Sequence, residues 1–204
     1  MIDLSELQRD ALSEMFNIGV GRAAASLSQI VQEEILLSAP MVRLLTSEQA
    51  AEELGHAEFT NYSTVTQAFR GPFDAHALLI FPETRALQIV SLMIGQHISP
   101  EELSEYEQET MCEIGNIILN ACISALADLF HTEFDSTLPV HHYGNYQSIK
   151  LSDDADRTHL LLIQVDLIIS KQQLQGHILF LMSVNSLHAL LDCVNRYLQE
   201  QGIA

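Results

Sequence analysis

The chain has 204 residues, of which 48% are hydrophobic and 18% charged, a composition that excludes long disordered segments and indicates a folded globular protein. Nine basic and 27 acidic residues give a net charge of −18, which excludes nucleic acids and anionic membrane surfaces as favoured partners. No apolar run has the roughly 18 to 20 residues of a membrane span, and Met1 to Leu4 lacks the basic start of a signal peptide. We therefore predict a cytoplasmic protein without membrane insertion.

Hydrophobic periodicity predicts that the chain opens with a long helix from Ile2 to about Ile30, with Ser5 as its cap. Gly19 and Gly21 weaken that helix by about 1 kcal/mol each relative to alanine. Either something approaches the backbone closely there, or the helix packs tightly against another helix. The rest of the first half is predicted as strands at Glu34–Leu37 and Met41–Leu45 separated by a break at Ala39-Pro40, a short helix at Thr46–Gly55 capped by Ser47, strands at Tyr62–Phe69 and Phe73–Phe81, and a helix at Glu83–Gly95.

The second half repeats this order of elements after a connector at 97–100. Ser99 is predicted to cap a long helix from Pro100 to Phe130, with proline in its favoured first turn. The remaining elements are predicted as short strands flanking Pro139, strands at His159–Ile169 and Leu174–Met182, and a final helix at Ser186–Leu198.

The two halves also match in sequence. The segment 10–40 returns in edited form at 109–139, and ALLIFPETRAL (77–87) aligns with HILFLMSVNSL (177–187). Long strands without βαβ alternation favour an α+β fold with a largely antiparallel sheet. We therefore predict an internal duplication with pseudo-two-fold symmetry and two long motif-bearing helices. Residues 1–204 would form one domain made of two repeats, about 1–98 and 99–204.

The repeated segment places a polar stripe along each long helix. Spacings of four, three and four put its members on one helix face. In the first copy the stripe is Asp10, Glu14, Asn17 and Gly21, and in the second it is Glu109, Glu113, Asn116 and Asn120. A proline follows each asparagine after 22 intervening residues, at Pro40 and Pro139.

A carboxamide beside a carboxylate suits phosphoryl transfer to water. The amide can hold the attacking water while the carboxylate pairs with a cation on the substrate, since positioning dominates this chemistry. The stripe itself holds no strong nucleophile and no basic residue, so a metal and a lysine would have to come with the substrate. The alternative is that the stripe is a solvated helix face, preserved through duplication alone.

The frame Asp/Ser-x3-Glu-x2-Asn-x22-Pro resembles the signature of the CheC/CheX/FliY family of chemotaxis phosphatases, and two intact copies resemble its CheC members. Asp10, Glu14, Asn17 and Pro40 fill the first frame. The second frame has Glu113, Asn116 and Pro139, with Glu109 where Asp or Ser is expected. A further departure is Phe16, which replaces the glycine that commonly precedes the first asparagine. Gly21 corresponds to Asn120, so the two sites need not be equally active.

The resemblance implies an enzyme that hydrolyses the aspartyl phosphate of a CheY-like response regulator. Asn17 and Asn116 would orient the attacking water, and Glu14 and Glu113 would pair with the regulator's lysine. The protein would need no cofactor of its own, because Mg²⁺ comes with the phosphorylated regulator. Pro40 and Pro139 would shape the turn after each helix. Some family members bind the deamidase CheD through a helix after the second proline, but residues 140–157 resemble a polar loop, which argues against CheD as a partner.

Other kinds of site have little support in the sequence. The nine histidines form no HxH or HxxxH pair, and GxSxG and P-loop motifs are absent. The three cysteines form no CxxC pair and are predicted to be reduced packing residues. The remaining alternative is a non-catalytic module of the chemotaxis or flagellar switch that binds a regulator without hydrolysing it. We expect catalysis instead, because docking alone would not require asparagine twice.

Overall fold

The computed structural model describes residues 3–32, 34–46, 48–50, 52, 61–94, 100–145, 159–169 and 172–203. Its helices are α1 (Glu6–Val31), α2 (Glu83–Ile94), α3 (Pro100–Phe130) and α4 (Val184–Glu200). Its strands are β1 (Ile35–Thr46), β2 (Tyr62–Arg70), β3 (Ala75–Pro82), β4 (Asp135–Ser136), β5 (Val140–Gly144), β6 (His159–Ile169) and β7 (Gln172–Met182). Residues 48–50 and 52 are also helical, whereas Ser47, Gly55, Gly95 and Ser99 lie outside the described residues.

The start of α1 confirms the predicted cap. The hydroxyl of Ser5 accepts a hydrogen bond from the backbone N–H of Gln8, and the Gln8 side chain accepts one from the Ser5 N–H. This reciprocal pair satisfies two of the donors that every helix leaves unpaired at its N-terminus. It sets the first turn of the helix that carries the first motif.

A single sheet in the order β1-β6-β7-β3-β2-β4, with β5 also paired to β2, joins the two halves. The pairings described are all antiparallel. At the centre, Leu78 pairs with Leu179 and Leu79 with Ile178. At the repeat offset of 100, Leu78 corresponds to Ile178 and Leu79 to Leu179. The repeat relation therefore converts one pair into the other, as a two-fold axis between β3 and β7 requires. The predicted α+β fold with pseudo-two-fold symmetry is confirmed.

The halves exchange their outer strands. β1, which follows the first long helix, pairs with β6 of the second half, and β5 pairs with β2 of the first. Each motif helix therefore leads into a strand that is anchored on the other repeat.

Two predictions about these outer strands are wrong. The predicted break at Ala39-Pro40 is only a register shift between Ser38 and Met41 within the continuous strand β1. A bulge accommodates proline, which has no N–H, without ending the pairing with β6. The predicted polar loop at 140–157 begins with strand β5, because pairing with β2 outweighs local polarity; residues 146–157 lie outside the described residues.

The main core lies between the helices and one face of the sheet. It includes Phe16 of α1 and Phe180 of β7, whose rings stack with centroids 5.4 Å apart. A smaller cluster covers the opposite face of the sheet and contains Ala50, Tyr62, Leu78, Ile80, Leu160, Leu162, Leu179 and Leu181. The two long helices are thus held on one face by side chains from both repeats.

Within the described part of the chain, one helical segment has the length and composition of a membrane span. Tyr106–Phe130 of α3 has 25 residues, and an 18-residue window within it has a mean hydropathy of 1.4, but half of that window is buried inside the protein. Ile114, Ile118 and Leu119 of this helix belong to the main core. We therefore interpret α3 as a core helix, and the cytoplasmic location stays a prediction.

Candidate functional site

Both copies of the polar stripe lie on the surface of their helices. Glu14 and Glu113 are exposed, and Asn17 and Asn116 are half-buried beside them. Asp10, Gly21 and Glu109 are also exposed, whereas Asn120 is half-buried. Each helix therefore presents a carboxylate to solvent with an amide, three residues later, set partly into the surface.

The amide of Asn17 is held by the strand that follows its helix. Its Oδ1 accepts a hydrogen bond from the backbone N–H of Ala39 at 2.9 Å. Because an N–H can only donate, the atom that faces Ala39 must be the oxygen, and Nδ2 is turned away from the strand. Among the described residues, Nδ2 of Asn17 has no acceptor, so its two N–H groups are available to a ligand.

This bond gives a structural reason for the spacing between the asparagine and the proline in the first copy. The register shift that absorbs Pro40 lies between Ser38 and Met41 of β1. The N–H of Ala39 falls within this shift and is satisfied by Asn17 instead of a strand partner. The asparagine is therefore also a structural residue in this copy.

The amide of Asn116 is held differently, by a side chain of its own helix. The Nδ2 of Asn120 donates to both the Oδ1 and the backbone oxygen of Asn116, each at 2.8 Å. Asn120 Nδ2 also lies 3.4 Å from the Oε1 of Gln67 on β2, whose own amide donates to Thr137 O. Once again the oxygen of the motif asparagine faces a protein donor.

The two copies thus reach the same orientation by different means. In the first, a backbone N–H holds the amide oxygen, and position 21 is glycine. In the second, Asn120 at the corresponding position supplies the donor. Sequence reasoning did not identify Asn120 and Gln67 as the residues that hold the Asn116 amide. The contact between Asn120 and Gln67 joins residues 53 positions apart.

The residues around the two prolines also differ. Ala39, before Pro40, is 0% exposed, whereas its counterpart Leu138 is 85% exposed. The carbonyl oxygen of Pro139 lies 3.9 Å from the Sγ of Cys112 on α3, which is half-buried; Cys122 and Cys193 are buried as predicted. The second copy therefore exposes an apolar side chain at its proline, and the first does not.

Phe16 does not obstruct the first site. Its side chain is buried and stacks on Phe180 of β7, so it points into the core while Asn17 faces the surface. At the corresponding position, a Cβ on Gly115 would lie 2.5 Å from Val65 on β2. The difference between the two motifs is a difference in packing beneath the helix.

The two glycines of α1 have different roles. A Cβ on Gly19 would lie 2.7 Å from the Cα of Cys122 on α3, so this position serves the close packing of the two long helices. Gly21 is exposed, and a Cβ added there would meet no atom of the described residues within 4 Å. Helix packing therefore explains Gly19 only.

A cleft of about 480 Å³ adjoins the first stripe between α1 and β1. Asp10 and Ser13 line it together with Arg9 and residues 41–45. Arg9 places a positive charge beside the acidic stripe. Helical spacing did not indicate this residue, because it lies off the helix face that carries Glu14 and Asn17. Its guanidinium donates to the carbonyl of Leu4 at 3.4 Å.

Because the two amides are anchored differently, removing each of them should lower the free energy of unfolding by a different amount. Asn17→Ala leaves the N–H of the buried Ala39 without an acceptor and should lower the free energy of unfolding by about 1 to 3 kcal/mol. Asn116→Ala should cost less than about 1 kcal/mol, because Asn120 keeps the carbonyl oxygen of residue 116 as its acceptor. Urea unfolding of both variants measures the difference; equal costs would show that the Ala39 bond contributes nothing.

Comparison with known sequences places the second motif in a described family. The model of the family described as chemotaxis phosphatase CheX matches residues 63–162. The CheY-P phosphatase CheC of Bacillus subtilis (strain 168) is 27% identical over 139 residues, which are 67% of this chain and 66% of CheC. The flagellar motor switch phosphatase FliY of the same organism is 25% identical over 140 residues, 67% of this chain but 36% of FliY. The matched segment thus spans about two thirds of CheC and about a third of FliY.

Solved structures share the fold. Thermotoga maritima FliY superposes with a TM-score of 0.79 at 17% identity, covering 97% of this chain and 100% of that one. The FliM middle domain from H. pylori gives a TM-score of 0.68 at 12% identity, covering 93% and 99%. The CheX–CheY–BeF3–Mg²⁺ complex from Borrelia burgdorferi gives 0.52 at 17% identity, covering 83% and 96%.

Proposed function

This chain belongs to the CheC/CheX/FliY family, and we propose on that premise that it hydrolyses the aspartyl phosphate of a CheY-like response regulator. The observation that carries the proposal is the orientation of the two motif asparagines. Each amide oxygen faces a protein donor, Ala39 N–H or Asn120 Nδ2, next to an exposed glutamate. Two different anchors hold the two amides in the same orientation. This agreement supports a chemical task that both asparagines share, in addition to the structural role of Asn17 beside β1.

In this proposal the asparagine positions water for attack. Its Nδ2 donates to the water oxygen, and the second lone pair of Oδ1 can accept a proton of the same water. The water oxygen bonds to phosphorus as the bond to the regulator's aspartate breaks. The aspartate leaves as a carboxylate, and both protons of the water leave with inorganic phosphate. Glu14 or Glu113 pairs with a lysine of the regulator and fixes the complex in register.

We propose that the protein needs no metal of its own. Across the described ranges there is no group of three or more His, Cys, Asp and Glu side chains arranged to hold a metal ion. Mg²⁺ bound by the phosphorylated regulator would neutralise charge on the phosphoryl group. This chain's residues contribute the positioning of water and the pairing with the regulator.

The test is the decay of a regulator charged with acetyl phosphate and Mg²⁺, measured with and without the unmodified protein. We expect accelerated release of phosphate in proportion to the amount of protein added. Binding to the charged regulator without any acceleration would overturn the proposed activity. CheD is not proposed as a partner.

A non-catalytic regulator-binding module is the second candidate. The bond between Asn17 and Ala39 favours it, because it gives this asparagine a structural role that needs no catalysis. The fold is shared with the FliM middle domain, so the fold alone does not select between the two functions. The decay assay separates them, because a scaffold binds the charged regulator and leaves its lifetime unchanged.

A further inference from the structure

A second cleft, of about 440 Å³, lies between α2, α3 and β5, away from the polar stripes. It is lined by Glu83, Leu87, Glu107, Gln108, His141 and Tyr143, and we call it the Glu107 cleft. Two of these side chains are carboxylates, and among the described lining residues none is a lysine or an arginine. The cleft therefore offers negative charge with an apolar wall at Leu87.

Glu107 is a buried carboxylate, and one of its two oxygens lacks a donor. The residue is 7% exposed, and its Oε1 is buried without a hydrogen-bond partner among the described residues. The closest ring nitrogen, Nε2 of His141, lies 3.8 Å away, which is beyond hydrogen-bond distance. A buried acceptor left unpaired destabilises the folded protein, and more so when it is charged. Such an atom at the wall of a cleft indicates a donor supplied from outside.

The neighbouring groups leave Oε1 of Glu107 without a donor. Glu83 already receives the Tyr143 hydroxyl at 2.6 Å and the Asn61 amide at 3.4 Å. The hydroxyl of Ser63 lies 2.7 Å from Nε2 of His141 and has only one proton to share. A hydrogen bond with Ser63 lowers the pKa of Glu107, but Oε1 itself has no hydrogen-bond partner among the described residues.

The set Ser63, His141 and Glu107 is not a hydrolase triad. Serine and acid both approach the same ring nitrogen, whereas a triad needs the acid on the other one. Ser63 is also 0% exposed and cannot reach a substrate. The cluster therefore points to binding and not to acyl transfer.

We propose that the Glu107 cleft binds an alkylammonium or guanidinium group, with Oε1 of Glu107 accepting a hydrogen bond from its N–H. A cation satisfies both the unpaired acceptor and the negative charge of Glu83 and Glu107. Leu87 and the ring of Tyr143 provide surface for the methylene groups. The site does not depend on phosphatase activity, because none of its residues belongs to the stripes.

Two sources carry this chemistry, a free amine and a lysine or arginine side chain of a protein partner. Glu107 precedes Glu113 by six residues on α3, which is about 9 Å along the helix axis. A protein docked on the second stripe would have to reach about 9 Å along the helix and about 120° around it to place a long basic side chain in the cleft. The experiment distinguishes the two sources.

The matched variants are Glu107→Gln and, as a control of equal charge change, Glu133→Gln at an exposed position outside the cleft. Burial raises the pKa of Glu107 from 4.5, with Glu83 adding to this and a hydrogen bond from Ser63 opposing it. The other groups facing it are His141, whose pKa burial lowers from 6.5, and Tyr143. Since an acid with a raised pKa destabilises the fold once it ionises, Glu107→Gln should raise the melting temperature at about pH 8, and the gain should vanish near pH 4.

The binding test follows amide chemical shifts by NMR while n-butylammonium or methylguanidinium is added, with n-butanol as the neutral control. We expect saturable shifts in the cleft with a dissociation constant of about 1 mM, weakened at least about tenfold by Glu107→Gln and unchanged by Glu133→Gln. Competition between n-butylammonium and the charged regulator for the protein would assign the site to a partner side chain, and binding without competition would assign it to a free amine. Equal shifts with n-butanol, or equal affinity in Glu107→Gln, would overturn the proposal.

Discussion

Replacing Asn17 and Asn116 together by aspartate is expected to reduce the accelerated decay of the phosphorylated regulator by about 100-fold or more. Aspartate keeps an oxygen where each asparagine has one, so Ala39 N–H and Asn120 Nδ2 retain their acceptors. What the change removes is Nδ2, the group that faces outward in both copies. The substitution therefore separates the structural duty of the amide oxygen from the proposed duty of the amide nitrogen.

The measurements are phosphate release from the acetyl-phosphate-charged regulator and urea unfolding of each variant. Each single change should remove only part of the acceleration, while the free energy of unfolding stays within about 1 kcal/mol of the unmodified protein. Asn185→Asp on α4, an exposed position, is the control for an added negative charge. A double variant that is folded and still accelerates decay would refute the assignment of these residues.

The relative loss in the two single variants reports on which copy dominates. The second copy has Asn120 as a support and Leu138 exposed beside its proline, and the family model covers this copy alone. We expect Asn116→Asp to cause the larger loss. An Asn120→Gly variant, which copies Gly21 of the first stripe, should lower the rate while Asn116 is retained.

Much of the fold follows from local signals in the sequence. The ends of α3 and the span of β6 agree with the prediction, because proline at a helix start and a nearly continuous apolar run act within a few residues. Short strands flanking Pro139 are confirmed as β4 and β5, but the continuity of β1 and the partner of β5 could not be predicted in this way. Both strands are completed by pairing with the other repeat, across about 110 to 135 residues for β1 and about 75 to 80 for β5.

The candidate site likewise has some features that local sequence signals predict and others that depend on contacts between distant residues. Helical spacing predicts that Glu14 and Asn17 share a face, and repetition singles out Glu113 and Asn116. The anchors of the amides were not predictable, since the bond from Ala39 depends on a bulge and the contact of Asn120 with Gln67 depends on the sheet. Glu107 carries no sequence signal of its own, because it is one of several glutamates at the start of α3 and glutamates on a helix are normally solvated.

Replacing each of the two glycines of α1 by alanine should change the free energy of unfolding in opposite directions. Gly19→Ala should lower the free energy of unfolding by about 1 to 3 kcal/mol, because its Cβ would lie 2.7 Å from the backbone of Cys122 and neither long helix can shift without disturbing the core. Gly21→Ala should raise it by about 0.5 to 1 kcal/mol, because alanine favours the helix and meets open space.

Urea unfolding of the two variants under identical conditions measures this difference, and each serves as the control for the other. The second readout is decay of the phosphorylated regulator by Gly21→Ala, which lies one turn beyond Asn17 on the first stripe. If the more stable variant loses activity, the glycine is retained for the close approach of the regulator. If it keeps full activity, the surface around Gly21 lies outside the contact. Tolerance of Gly19→Ala would contradict the close packing of α1 against α3, and destabilisation by Gly21→Ala would contradict the open space beside Gly21.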